Sequence, residues 1–203
     1  MSNKNSNAAL GRPRNFEDAD VLHRAAQAFL QDGFEAASYE KIAEAMGLSK
    51  PSLYNAFGNK TELFERVISE YAQQAHGFIL SSFSNADTLE RGVDQVLQAA
   101  ANFYSRPDDP SIGCLLIGTS LPATAQYDTI RATLSDFVLS LETSLEEVLV
   151  SRYMEDLEVL GKSSNQIALL VSSQIFSLAI RARMGLTREQ LSAFASELAP
   201  MIK

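Results

Sequence analysis

The sequence predicts an all-α protein, in which an N-terminal three-helix unit with a helix-turn-helix joins a C-terminal helical bundle, about nine helices in all. Three observations carry that expectation. Long stretches rich in Ala, Leu, Glu and Ser contain few Gly or Pro residues, and strand signals are weak. Apolar residues recur at helical spacing. Ser, Thr or Asn caps open the candidate helices, and glycines close several of them. A chain of 203 residues is long enough for one or two small domains with a sizeable core.

The elements follow in order. Phe16, Val21, Leu22, Ala25, Ala26, Phe29 and Leu30 form an apolar stripe on a first helix reaching about Asp32, with Gly33 as its C-terminal cap. Ser38 is the N-cap of a second helix, Tyr39 to Met46, which has Glu40 in its first turn and stops at Gly47. Ser49 caps a third, Lys50 to Phe57, with Pro51 in the first turn, where a missing N–H costs nothing. Asn59 and Glu62 make a capping-box-like start for a fourth helix, reaching about Phe83. Later helices are expected over about Thr88–Ser105, Ile112–Thr119, Tyr127–Tyr153 and Ser164–Met184. A last one is opened by a Thr187–Gln190 capping box and ends near Pro200. No linker separates the halves. The organisation expected is a flexible basic arm over 1–15, a helix-turn-helix unit over 16–62 and a bundle over 63–203.

Composition narrows the function. The lone Cys114 excludes an internal disulfide and fits a reducing cytoplasm. The polar N-terminus is unlike a signal peptide. The apolar stretch Ile167 to Ile180 is interrupted by serines and is too short to span a bilayer, so no membrane role is expected. The net charge of −8 is unevenly spread. Lys4, Arg12 and Arg14 make residues 1–15 basic with no acid, whereas residues 67–203 carry nine bases against sixteen acids. His23 and His76 lack partners at ligand spacing, so no metal and no cofactor is expected. An enzyme fares badly, for want of a nucleophile–base–acid set or a Gly-rich phosphate loop.

Two short helices joined by a tight Gly turn occur in many helical proteins. Here Ala43 is small where the next helix crosses, and Gly47 supplies the positive φ of a three-residue turn. Ile42, Met46, Leu48, Leu53 and Phe57 make a small core. That leaves Lys50, Ser52, Tyr54 and Asn55 outward, able to donate to phosphates and base edges.

The run SYEKIAEAMGLSKPSLYNAFGNKTELF, with the preceding GRPRNF and the Gly33-Phe34 step, resembles the signature of TetR-family repressors. The resemblance is dense over Gly11 to Phe64, about a quarter of the chain. Elsewhere it rests on helix pattern and a loose GCLL element at Gly113 to Leu116. It implies a homodimeric regulator that binds palindromic double-stranded DNA, with a C-terminal ligand-sensing bundle and no enzymatic activity. The alternative is a helical interaction or sensor protein without operator binding.

Carried over by position, the resemblance implies that Ser38 and Lys60 face phosphates. Lys50, Pro51 and Ser52 would open the recognition helix, and Tyr54 would reach a phosphate through its hydroxyl. The competing role for Tyr54 is packing on the fourth helix. Asn55 replaces a histidine common in the family, and an Asn can pair bidentately with adenine. Arg12 and Arg14, in Gly11-Arg12-Pro13-Arg14, resemble a minor-groove arm, against the plainer reading of a solubilising tail.

The last two helices carry broad apolar faces, with Ile167, Leu170, Val171, Gln174, Ile175 and Leu178 on one and Leu191, Phe194 and Leu198 on the other. They are core or, as the family implies, a dimer interface. Candidate pocket residues are Phe78, Phe103, Tyr104, Cys114, Ile117, Leu121, Phe137 and Phe176. They would suit an apolar or aromatic small-molecule effector, although most would serve equally as core. Cys114 is expected to be a buried, inert thiol.

Overall fold

The computed structural model describes residues 15–83, 86–105 and 113–202, and all regular structure among them is helical. Arg12, Arg14 and the rest of the expected basic arm lie outside the described residues. Ten α-helices follow one another: α1 Asn15–Ala36, α2 Tyr39–Met46, α3 Lys50–Phe57, α4 Lys60–Phe83, α5 Leu89–Tyr104, α6 Leu121–Ala123, α7 Asp128–Arg152, α8 Met154–Leu160, α9 Ser164–Arg183 and α10 Arg188–Leu198. A π-helical turn, Leu116–Ser120, precedes α6, and a 3-10 turn, Ala199–Ile202, follows α10.

Local chemistry explains most boundaries. Ser38 accepts from Lys41 N and Ser49 accepts from Ser52 N, so each N-cap satisfies a donor that its helix cannot. Gly47 adopts φ 71° and closes α2 with its N–H on the carbonyls of Ala43 and Glu44. Asn59 Oδ1 accepts from the Thr61 and Glu62 amides, and Glu62 returns a carboxylate oxygen to the Asn59 amide at 2.8 Å. The expected Thr187–Gln190 capping box forms at α10, and a second one, Ser163–Gln166, opens α9.

Three boundaries differ from expectation. The first helix does not stop at Asp32: Gly33 (φ 79°, ψ 167°) is a kink inside it, and helical turns resume as far as Ala36. The long helix does not run through Tyr153. That ring turns inward onto Phe83 and its hydroxyl donates to the carbonyls of Phe83 and Ala86, so the backbone breaks there and α8 begins. The short helix expected over Ile112–Thr119 is displaced toward the C-terminus, because Gly113 holds φ 67° and Cys114 remains outside it.

A continuous apolar core runs from Ala25 on α1 to Ala199, with no gap between the front helices and the bundle. Its centre is α5, packed on α4, α9 and α10, while α7 lies against α4 and α9. Gly92 on α5 allows the closest approach. A Cβ there would sit 2.8 Å from both the Phe83 ring and the Tyr153 hydroxyl.

Candidate nucleic-acid interface

The recognition helix is built by contrast between its two faces. Leu53 and Phe57 are buried against the core, and Lys50, Pro51, Ser52, Tyr54, Asn55 and Ala56 are exposed. Tyr54 is 61% exposed, too open to be a packing residue against α4. Ser49 and Ser52 share a hydroxyl–hydroxyl bond of 2.8 Å at the helix start, where unpaired N–H groups and the dipole favour an anion. Tyr39, which sequence reasoning passed over, donates its hydroxyl to the Gly58 carbonyl and so ties the start of α2 to the end of α3. Burial raises its phenol above the ordinary value.

Lys50 is not idle. Its ammonium pairs with Glu40 on α2, and that hydrogen bond holds the Glu40 carboxyl below its usual range. Ser38 uses its oxygen as the α2 cap, which leaves its hydroxyl hydrogen available to an outside acceptor.

Lys60, for which the resemblance implies a phosphate, is engaged within the chain itself. Its Nζ donates to the carbonyls of Phe34 (2.9 Å), Glu35 (3.1 Å) and Ala37 (3.4 Å), and it lies over the Phe34 ring. An ammonium has three donors, and these carbonyls engage all of them where α1 ends. A cation that sequence reasoning missed stands nearby. Arg66 lies over the Phe57 ring and lines a cleft of about 600 Å³ with Tyr54, Asn55, Glu62 and Glu65.

In the bundle, the expected pocket residues are dispersed. Tyr104, Cys114 and Phe137 are buried, Phe103, Ile117 and Phe176 are half-buried, and Phe78 and Leu121 face outward. Phe103 meets Tyr71 and Tyr104 edge to face and Phe78 at a tilt, with ring centroids 5.5 Å from Tyr71 and from Phe78 and 5.6 Å from Tyr104, so these rings fill one another's space. Two clefts lie elsewhere. One, of about 320 Å³ between α4 and α7, is lined by Gln73, His76, Asp136, Phe137 and Ser140. The other, of about 250 Å³, lies among Leu89, Val159, Leu160 and Ala199. Of the expected residues, only Phe137 lines either. Burial raises the Cys114 thiol above its ordinary value, against the pull of the Ile117 and Leu116 amides and the Tyr71 hydroxyl. The sequence expectation of an inert thiol agrees with this.

The expected dimer face is divided in two. Ile167, Val171, Ile175, Leu178 and Leu191 point into their own core and cannot meet a partner. Leu170, Gln174, Phe194 and Leu198 remain at least partly open, joined by the exposed Leu169, Ile180 and Met184. Among the described residues, no group of His, Cys, Asp and Glu could hold a metal ion, and no helix is long and apolar enough to cross a membrane.

Comparison with known proteins agrees with this geometry. Residues 21–67 match the model of the bacterial regulatory proteins of the tetR family. The transcriptional repressor BdcR of Escherichia coli is 27% identical over the whole of this chain and 98% of its own length. The repressor ComR of the same species is 28% identical over 91% of this chain and 88% of its own. A cysteine-substituted variant of the TetR family regulator CifR, solved with 26-base-pair operator DNA, superposes with a TM-score of 0.79 at 26% identity, covering 93% of this chain and 98% of that one. A capped helix-turn-helix with a polar outer row, a bundle continuous with it, and relatives similar over their full length lead to one conclusion: residues 21–67 carry the DNA-binding domain of the tetR family, and the whole chain resembles bacterial transcriptional regulators of that family.

Proposed function

We propose that the chain is a cytoplasmic repressor. It binds palindromic double-stranded operator DNA as a homodimer and leaves it when a small apolar or aromatic effector occupies the bundle. The observation that carries this reading is the exposed row Lys50, Ser52, Tyr54 and Asn55 on a helix whose other face is locked by Leu53 and Phe57. In it, Lys50, Ser52 and Ser38 meet phosphates, Tyr54 meets a phosphate and the adjoining sugar or thymine methyl, Pro51 packs on the backbone and Asn55 reads a base edge. Residues 16–62 form the reading head and residues 63–203 the sensing and pairing body. BdcR and ComR are named as repressors and CifR is seen on operator DNA, which supports the same role here.

One α3 spans few base pairs, so specificity needs a second copy one helical turn away. Leu169, Leu170, Ile180 and Met184 leave an apolar strip on α9 for that copy, beside Phe194 and Leu198 of α10. Gel-shift titration with the DNA flanking the chain's own gene tests the reading. The expected result is salt-sensitive binding that outcompetes random DNA and falls at least about tenfold in a Tyr54→Ala, Asn55→Ala double variant. Equal retention of random DNA, or an unaffected double variant, overturns it. In sedimentation, Leu170→Glu with Ile180→Asp should convert the dimer to a folded monomer.

A further inference from the structure

The kink at Gly33 has a consequence for how the reading head is held. Gly33 interrupts the regular helical geometry of α1, and a carbonyl at such a break is open to partners from outside the helix. One of them, Leu30 O, accepts from Arg183 Nη1 at 2.7 Å, across 153 residues of sequence. Past the kink, the carbonyls of Phe34, Glu35 and Ala37 are held by Lys60 of α4. The end of α1 is thus clamped between the first residue of α4 and the last residue of α9.

The route taken by Arg183 is specific. Its stem lies along Gly118 of the π-helical turn, where a Cβ would stand 3.5 Å from Cδ, 3.6 Å from Cγ and 3.7 Å from Nε. At Gly113, a Cβ would come within 2.9 Å of the Ala179 carbonyl and 3.0 Å of the Arg183 amide, so the 113–120 segment is pressed against the last turn of α9. A π-turn carries one residue more than an α-helical turn and is a common site of local adjustment. Arg181, one turn-face away, stacks instead on Phe194, 3.8 Å from its ring centroid.

We infer that Arg183 is the positioning residue that couples the π-helical turn and the end of α9 to the orientation of the helix-turn-helix, through the Leu30 carbonyl at the α1 kink. The π-turn and α9 cannot shift relative to α1 without moving or breaking this contact. Dimer pairing along α9 and any displacement of the 116–120 turn are both transmitted to the recognition helix by this side chain. Methionine at 183 keeps the stem over Gly118 and loses the donor. Lysine keeps a cationic donor group of similar reach.

The test measures an intramolecular distance, so it requires neither DNA nor effector and stands or falls apart from the operator reading. Spin labels at Glu44→Cys on α2 and Thr143→Cys on α7, both exposed, report head against body, while the fully buried Cys114 stays unlabelled. Labelled chain is diluted into unlabelled full-length chain. The expected distance distribution is narrow in the parent and at least twice as wide in Arg183→Met, and Arg183→Lys restores most of the narrowing. Arg181→Met, matched in chemistry, should leave it unchanged. With the operator in hand, Arg183→Met should also weaken binding by about tenfold and tolerate altered half-site spacing. An Arg183→Met distribution as narrow as the parent's overturns the inference, as does equal broadening by Arg181→Met.

Discussion

Lys50 and Lys60 show how little residue type says about role until partners are known. Lys50 projects from the recognition helix, yet in the free protein it is held by Glu40, so DNA must displace a carboxylate to engage it. Glu40→Gln should therefore strengthen operator binding by roughly two- to fivefold, as expected for release of an exposed ion pair. The salt dependence should steepen by about one unit of log K against log salt, as one more cation becomes free to meet phosphate. Titrations at several salt concentrations read both. Lys60 behaves oppositely. Lys60→Met removes three carbonyl contacts and should lower stability in denaturant melts by about 1–3 kcal/mol. It should leave the salt slope of DNA binding unchanged, which a phosphate contact would not.

Elements are set mainly by their ends. The caps of α2, α3, α4 and α10 were all legible, because a Ser, Thr or Asn before an apolar period has one geometric use. The break at Tyr153 was not legible, since it depends on a hydroxyl reaching two carbonyls about seventy residues earlier in the chain. Gly33 reads in the sequence as a stop and is a kink inside the helix instead. With φ 79° and ψ 167° it occupies a region almost closed to side chains, and a Cβ added there would meet nothing within 4 Å. Gly33→Ala should therefore cost about 1–3 kcal/mol from backbone strain alone, with no steric clash to relieve. A thermal melt measures the loss. Re-engineering neighbouring side chains should not recover it.

At the scale of the whole molecule, one core joins head and body, so stability is shared and alkaline pH acts on it from the centre. Tyr71, Tyr104 and Cys114 meet inside the bundle, and burial pushes all three above their ordinary values of 10.0 for the phenols and 9.0 for the thiol. The unfolded chain ionises first as pH rises. The stability from keeping these groups neutral is thus complete below about pH 9 and declines steadily above it. Among the described residues the buried Tyr104 hydroxyl finds no nitrogen or oxygen partner, and only the weakly bonding Cys114 thiol faces it. Tyr104→Phe should therefore leave stability at neutral pH unchanged or raise it by about 1 kcal/mol, and should move alkaline unfolding to higher pH. Denaturant midpoints from pH 7 to pH 11 check both.

The sequence alone determined the helical class, the positions of the caps and the helix-turn-helix with its outward Lys50, Ser52, Tyr54 and Asn55. Each of these follows from local spacing and from which residues can satisfy the first and last turns of a helix. The tertiary structure decided which apolar faces are core and which are left open. It turned Ile167, Val171, Ile175, Leu178 and Leu191 inward while leaving Leu170 and Ile180 outside, and it packed Phe103 against the Tyr71 and Phe78 rings. It also decided that Lys60 and Arg183 hold the two sides of the α1 kink. Burial and long-range hydrogen bonding depend on what lies across the core, and helical periodicity records only that an apolar face exists.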